Sequence, residues 1–110
     1  MIQSRIEELE KKITGTANVN EETRGELLRL VSELKREISS LPQAQAEQAQ
    51  SIAGFAAVTA HEAVRAERDA QLLRLSTEGL RASVGGFENT HPGLVQAVNA
   101  FCRTLSNLGI

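Results

Sequence analysis

The chain has 110 residues, enough for one domain with a modest core, and it carries a formal charge of -2 with acidic and basic residues interspersed. It has no basic block that would indicate nucleic-acid binding, and no apolar run approaches the ~20 residues that a membrane-spanning helix needs. Trp and Tyr are absent and β-branched residues are few, so the core must be aliphatic. We predict a single all-α domain that forms an antiparallel helical hairpin or bundle.

Two amphipathic helices are predicted at the start of the chain. Apolar residues recur at helical spacing over residues 2–13 and again over 21–40, and charged residues occupy the remaining faces. Asn20 is the predicted N-cap of the second helix, because acidic residues follow it where the helix dipole favours negative charge. Pro42 ends this helix. The two helices are expected to pack as an antiparallel hairpin.

The third predicted element is one very long central helix over residues 43–88. The stretch contains no proline, and unbroken it would span ~70 Å, more than this chain can cover. Part of it carries a heptad seam of small side chains that lets another helix approach closely. The seam consists of Ala46, Ala49, Ala53, Ala56, Ala60 and Ala63. We expect it to pair with the same seam of a second chain in a two-fold symmetric, antiparallel homodimer.

Glycines inside this stretch leave a second interpretation open. Each of Gly54, Gly79 and the Gly85–Gly86 pair costs about 1 kcal/mol relative to alanine in a helix. A break is expected either at Gly85–Gly86 or just before Gly79. The alternative to one long helix is therefore two helices separated near residue 78.

The last predicted helix covers residues 92–108. Pro92 suits its first turn, and Thr90 or His91 is the predicted cap. Gly109 is well placed to be a left-handed C-terminal cap that folds the final residue back onto the last turn.

The end of the chain carries a distinctive pattern of residues. From Phe87 to Leu94 it reads F-E-x-x-H-P-x-L, and the last helix then ends in L-x-x-x-G-I. In this pattern, and in its N-terminal hairpin, the chain resembles a family of small, uncharacterised bacterial helical proteins over roughly residues 1–42 and 78–110. The resemblance implies no activity, because that family has no assigned function. It implies that His91-Pro92 and Gly109-Ile110 are family features.

His61 is the one weak candidate for phosphotransfer. It is predicted to share a polar helix face with Arg65 and Arg68, whose cations would help to hold a phosphoryl group. Histidine phosphotransfer domains carry a Lys-Gly pair just after the histidine, whereas Glu62 and Ala63 follow here. A surface histidine is the simpler interpretation.

No catalytic, metal or cofactor site is predicted. A metal site would have to bring His61, His91 and Cys102 together with a carboxylate from separate places, and no pair has the spacing of metal ligands. Cys102 lies beside the apolar seam of the last helix and is predicted to be a buried, inert thiol. We therefore predict that the protein is not an enzyme.

The predicted function is that of a helical homo-oligomeric interaction or scaffolding protein with an unidentified protein partner. Phosphotransfer through His61 and reversible binding to a membrane surface are the two alternatives. The single cysteine fits a reducing compartment, and Glu-rich sequence follows Met1 almost at once where a signal peptide would lie. We expect a cytoplasmic protein.

Overall fold

The computed structural model describes residues 2–16 and 19–108, and every regular element within them is helical. The predicted all-α fold is confirmed, and three of the predicted helices agree with the structure to within two residues at each end. The elements are α1 (Ile2–Gly15), α2 (Glu21–Ser39), a 3₁₀ turn (Gln43–Gln45), α3 (Ala46–Val64), α4 (Ala70–Ser83) and α5 (Pro92–Leu108).

α1 and α2 form the predicted antiparallel hairpin. The side chain of Asn20 accepts a hydrogen bond from the backbone N–H of Thr23 at 2.8 Å, which confirms Asn20 as the N-cap of α2. One turn into α2, Arg24 donates from Nε to the carbonyl of Ile13 at 3.3 Å, close to the end of α1. This contact brings the end of the first helix to the start of the second.

The predicted unbroken helix over residues 43–88 is wrong, because α3 and α4 divide this stretch and residues 65–69 separate them. The molecule measures only 38 Å along its longest axis, about half of the ~70 Å that one helix would require. Neither Gly79 nor the vicinity of residue 78 interrupts a helix, since both lie inside α4. α4 does end immediately before Gly85–Gly86, and Gly86 has a φ of 97°.

Side-chain acceptors and donors explain the break at residues 65–69. Arg65 adopts an extended backbone, with φ -67° and ψ 151°. Nε of Arg68 donates to the carbonyl of Ala63 at 2.9 Å, so a carbonyl in the last turn of α3 gains a partner there. The carboxylate of Asp69 then accepts from the N–H groups of Gln71 and Leu72 at 3.0 and 3.1 Å and caps α4. The chain therefore turns without a glycine or proline.

α3 is the central helix of the bundle, because it contacts each of the other four helices. α1 lies parallel to it, with Nζ of Lys12 3.3 Å from Nδ1 of His61. α4 lies antiparallel to it, and the buried hydroxyl of Thr59 donates to the carbonyl of Ser76 at 3.1 Å. α5 closes the bundle against α2, α3 and α4. In the described part of the chain, none of the helices combines the length and apolar character required to cross a bilayer.

The alanine seam lies inside this bundle. Five of its six members are at most 3% exposed within the single chain, and Ala46 at the start of α3 is partly exposed. The small side chains do allow close helix packing, but the neighbouring helices belong to the same chain. The prediction that this seam pairs with a second chain is therefore wrong, because helices of the same chain already cover its five buried members. The buried members are Ala49, Ala53, Ala56, Ala60 and Ala63.

Candidate functional site

The exposed large hydrophobic side chains lie on α3 and α4. Within residues 4–16 and 19–108, all four that are substantially exposed belong to this helix pair. They are Phe55 (42% exposed), Val58 (50%), Leu72 (43%) and Leu75 (51%), and we call them the α3–α4 apolar face.

Helical geometry places these four side chains on one continuous surface. Phe55 and Val58 are three residues apart on α3, so they lie on the same side of it. A Cβ at Gly79 would lie 2.6 Å from Cε1 of Phe55, which shows that the ring rests on this part of α4. Leu72 and Leu75 precede Gly79 by seven and four residues, and both therefore share the side of α4 that the ring touches.

A shallow groove extends the α3–α4 apolar face towards α1. It has a volume of about 410 Å³, and the guanidinium of Arg5 projects into it from α1. A Cβ at Gly54 would be 3.5 Å from Nη1 of Arg5, so the glycine lets the arginine lie close against α3. The remaining lining residues are Gln50, Ser51, Phe55 and Val58.

An ion pair borders the other end of the face. Nη1 of Arg65 donates to Oε1 of Glu62 at 2.7 Å. This hydrogen bond, followed by the negative charge of Glu62, raises the pKa of Arg65 above its ordinary value. The rim thus carries a cation near one end and a paired cation and anion at the other, rather than a charge of one sign.

The residues of the polar site predicted around His61 do not lie together on one face in the structure. The imidazole is exposed and contacts Lys12 from α1. Because α3 ends at Val64, Arg65 and Arg68 do not continue the helix face on which His61 lies. Arg65 pairs with Glu62, and Arg68 donates to the carbonyls of Ala63 and Leu108. The expectation of one shared polar helix face is therefore wrong.

Cys102 lies in the interior between α4 and α5. Its side chain is 0% exposed, and Sγ is 3.9 Å from the carbonyl oxygen of Thr77. Burial raises the pKa of the thiol to about 11, although the nearby guanidinium of Arg81 acts in the opposite direction. Among the residues that the structure describes, no group of three or more His, Cys, Asp and Glu side chains could hold a metal ion.

We expect Cys102 in the folded chain to resist alkylation at pH 8. With a pKa of about 11, only about one thiol in a thousand is ionised at that pH, and the thiolate is the reactive form. Mass spectrometry after iodoacetamide treatment should show modification at least about a hundredfold slower in buffer than in denaturant. Equal rates in the two conditions would contradict a buried thiol.

The F-E-x-x-H-P-x-L pattern forms the connection between α4 and α5. The backbone N–H of His91 donates to the carbonyl of Phe87 at 2.8 Å, and the two rings pack edge to face with centroids 5.5 Å apart. The carbonyl of His91 accepts from the N–H of Leu94 at 3.1 Å, and Pro92 is the first residue of α5. The pattern therefore describes a turn and a helix start. The cap predicted at Gly109-Ile110 lies outside the described residues.

Comparison with known proteins places the chain in a family of unknown function. The family model described as "Domain of unknown function (DUF4404)" matches residues 2–110. This range includes nearly all of both segments of the resemblance noted in the sequence, together with residues 43–77 between them. No curated protein and no solved structure matches the chain.

Proposed function

We propose that this chain, which belongs to the DUF4404 family, is a homo-oligomeric helical interaction protein without catalytic activity. Its interaction surface is the α3–α4 apolar face, and the occupant of that face is a second copy of the same chain. One observation supports the proposal above all: the exposed large hydrophobic residues of the described chain are gathered on one side of one helix pair.

The size of the face suits a weak dimer. Four side chains that are two-fifths to one-half exposed make an apolar patch on the order of 300 Å², a size at which patches on monomers are often functional. Two such patches and their polar rims approach the ~1,200 Å² at the lower end of stable interfaces. We therefore expect a dissociation constant in the micromolar range, about 10 µM.

The charges around the face favour a second copy over a membrane. Arg5 lies near one end, and the Glu62–Arg65 pair lies at the other. A two-fold symmetric pairing presents the same patch from both sides, so a rim of mixed sign can meet opposite charges on its copy. Reversible binding to an anionic membrane would instead require a rim rich in Lys and Arg.

Sedimentation equilibrium over about 1–200 µM tests the pairing, a range that brackets the expected dissociation constant. The weight-average mass of the wild type should rise from 11.9 kDa towards twice that value with concentration. Leu75→Glu should weaken association at least about thirtyfold, because each copy would bury an unpaired carboxylate in the interface. Ser32→Glu, which adds the same charge to the exposed side of α2, should associate like the wild type.

A wild-type mass of one chain throughout this range would overturn the proposal. So would a Leu75→Glu variant that associates as strongly as the wild type. If the wild type stays a single chain but co-sediments with vesicles of anionic lipid, and Leu75→Glu does not, the occupant of the face is a membrane rather than a second copy.

In this proposal His61 has no phosphotransfer role, and the protein is a cytoplasmic one. The two cations that the sequence predicted beside His61 are engaged elsewhere, Arg65 with Glu62 and Arg68 with backbone carbonyls. Cys102 is a free buried thiol, which fits a reducing compartment.

A further inference from the structure

We infer that the cleft between α4 and α5 binds a small organic carboxylate between Arg74 and Arg81. This α4–α5 cleft has a volume of about 260 Å³ and lies on a different side of α4 from Leu72 and Leu75. Six of its lining residues belong to α4 and one, Ser106, belongs to α5. The α4 residues are the charged Arg74, Glu78 and Arg81, and Ala70, Leu73 and Thr77 at the floor.

Two arginines define the ends of the cleft. Arg74 and Arg81 are seven residues apart on α4, which places them on the same side of the helix at a rise of ~10.5 Å. Both are exposed, and neither takes part in an ion pair among the described residues. The arginines of α2, in contrast, all lie within ion-pair distance of glutamates. The cleft therefore offers two cations to a ligand.

The floor between these cations is apolar. Leu73 is 4% exposed and closes the bottom of the cleft beside Ala70. The hydroxyl of Thr77 donates to the carbonyl of Leu73 at 2.8 Å, so this hydroxyl hydrogen is already engaged within the helix. A ligand that matches the cleft needs an anionic end for a guanidinium fork and an apolar body for the floor.

The volume of the cleft limits the size of the ligand, and Glu78, its third charged group, limits the ligand's charge. At about 260 Å³ the cleft is smaller than the ~300–1,000 Å³ typical of sites for drug-sized ligands, so the ligand is small. Glu78 lies between the two arginines, and the three groups together carry one positive charge. A carboxylate with a single negative charge suits this balance, whereas each further negative charge would be repelled by Glu78.

Arg81 and Arg74 differ in the buried groups that lie near them. The positive charge of Arg81 acts on the buried thiol of Cys102 in α5, so its guanidinium lies near the wall that α5 contributes. No comparable effect of Arg74 on a buried group is seen among the described residues, so we assign it the role of closing over the ligand. Arg74 is therefore the arginine to substitute, since changing Arg81 would also disturb the packing around Cys102.

Octanoate is a suitable probe, because it combines one carboxylate with a short apolar chain. In a titration followed by backbone amide NMR, we expect saturable shifts in residues 70–81 and at Ser106, with a dissociation constant of about 1 mM for a ligand of this size. Arg74→Gln should weaken binding about tenfold. Glu78→Gln should strengthen it about threefold, because it removes the repelling charge.

Matched ligands and one variant make the test decisive. Octan-1-ol, which lacks the charge, and inorganic phosphate, which lacks the apolar body, should each bind at least about fivefold more weakly than octanoate. Leu75→Ser, which weakens the α3–α4 apolar face without adding a charge near Arg74 and Glu78, should bind octanoate like the wild type, so a failure of the dimer proposal would leave this result unchanged. Shifts confined to the α3–α4 apolar face would overturn the inference. The inference would also be overturned if Arg74→Gln and Glu78→Gln changed the dissociation constant for octanoate in the same direction by the same factor. Equal dissociation constants for phosphate and octanoate would overturn it too.

Discussion

Replacement of Ala60 by leucine is expected to lower the free energy of unfolding by about 3 kcal/mol. Ala60 is 0% exposed and lies about one turn before the end of α3, where this helix meets its neighbours within the same chain. A leucine adds three carbon atoms at a fully buried point of a close-packed interior, so α3 must move away from the helices packed against it. Equilibrium denaturation in guanidinium chloride at about 1 µM protein measures the loss independently of self-association.

Gln48→Leu is the matched control for this substitution. It adds a leucine to the same helix at an exposed position, so the free energy of unfolding should change by at most about 0.5 kcal/mol. If Ala60→Leu unfolded like the wild type at low concentration but lost self-association, the alanine seam would lie between chains, contrary to the fold described here.

Arg24→Met is expected to cost about 2–3 kcal/mol of stability, an effect unusual for an arginine near the surface. Arg24 donates to the carbonyls of Ile13, Thr16 and Val19 and also pairs with Glu21. Its side chain is only 17% exposed, so these hydrogen bonds are partly shielded from water. Methionine retains much of the apolar stem but none of the donors, and the carbonyls at the end of α1 and in the connection to α2 lose their partner.

Arg29→Met on the same helix is the control that separates the loss of the Arg24 hydrogen bonds from the loss of a positive charge. Arg29 is 60% exposed and pairs with Glu33 at 3.1 Å, an arrangement worth at most about 0.5 kcal/mol. Thermal and guanidinium unfolding of the two variants should therefore differ by about 2 kcal/mol. Equal stabilities would show that the hydrogen bonds of Arg24 do not hold the α1–α2 connection.

The sequence predicted α1, α2 and α5 well because their signals are local. Each has one apolar stripe at helical spacing, and the starts of α2 and α5 are marked by a polar cap and a proline, respectively. Asn20 before α2 and Pro92 at the start of α5 are both found where they were expected. Such signals depend on residues within one or two turns, so they do not change with the way in which the rest of the chain packs.

The boundary between α3 and α4 escaped prediction because residues 65–69 contain neither glycine nor proline. All but Asp69 are good helix formers, and helix propensity differs by less than about 1 kcal/mol between such residues. Tertiary packing outweighs a preference of that size, since the turn lets α4 fold back on α3 and bury Leu73 and Leu80. Asp69 followed by Ala70 was the available signal, because an Asp before an apolar-periodic segment is a common helix start.

The sequence by itself determined that the chain is helical and where three of its helices begin and end, because hydrogen bonds and caps between near neighbours suffice for that. Only the tertiary structure decided which apolar residues of the middle segment meet water. α3 has apolar side chains around most of its circumference, so its exposed side is whichever one the other helices leave uncovered. Which side is left uncovered depends on contacts between residues far apart in the chain. These contacts bury most of the alanine seam and leave Phe55 and Leu75 at the surface.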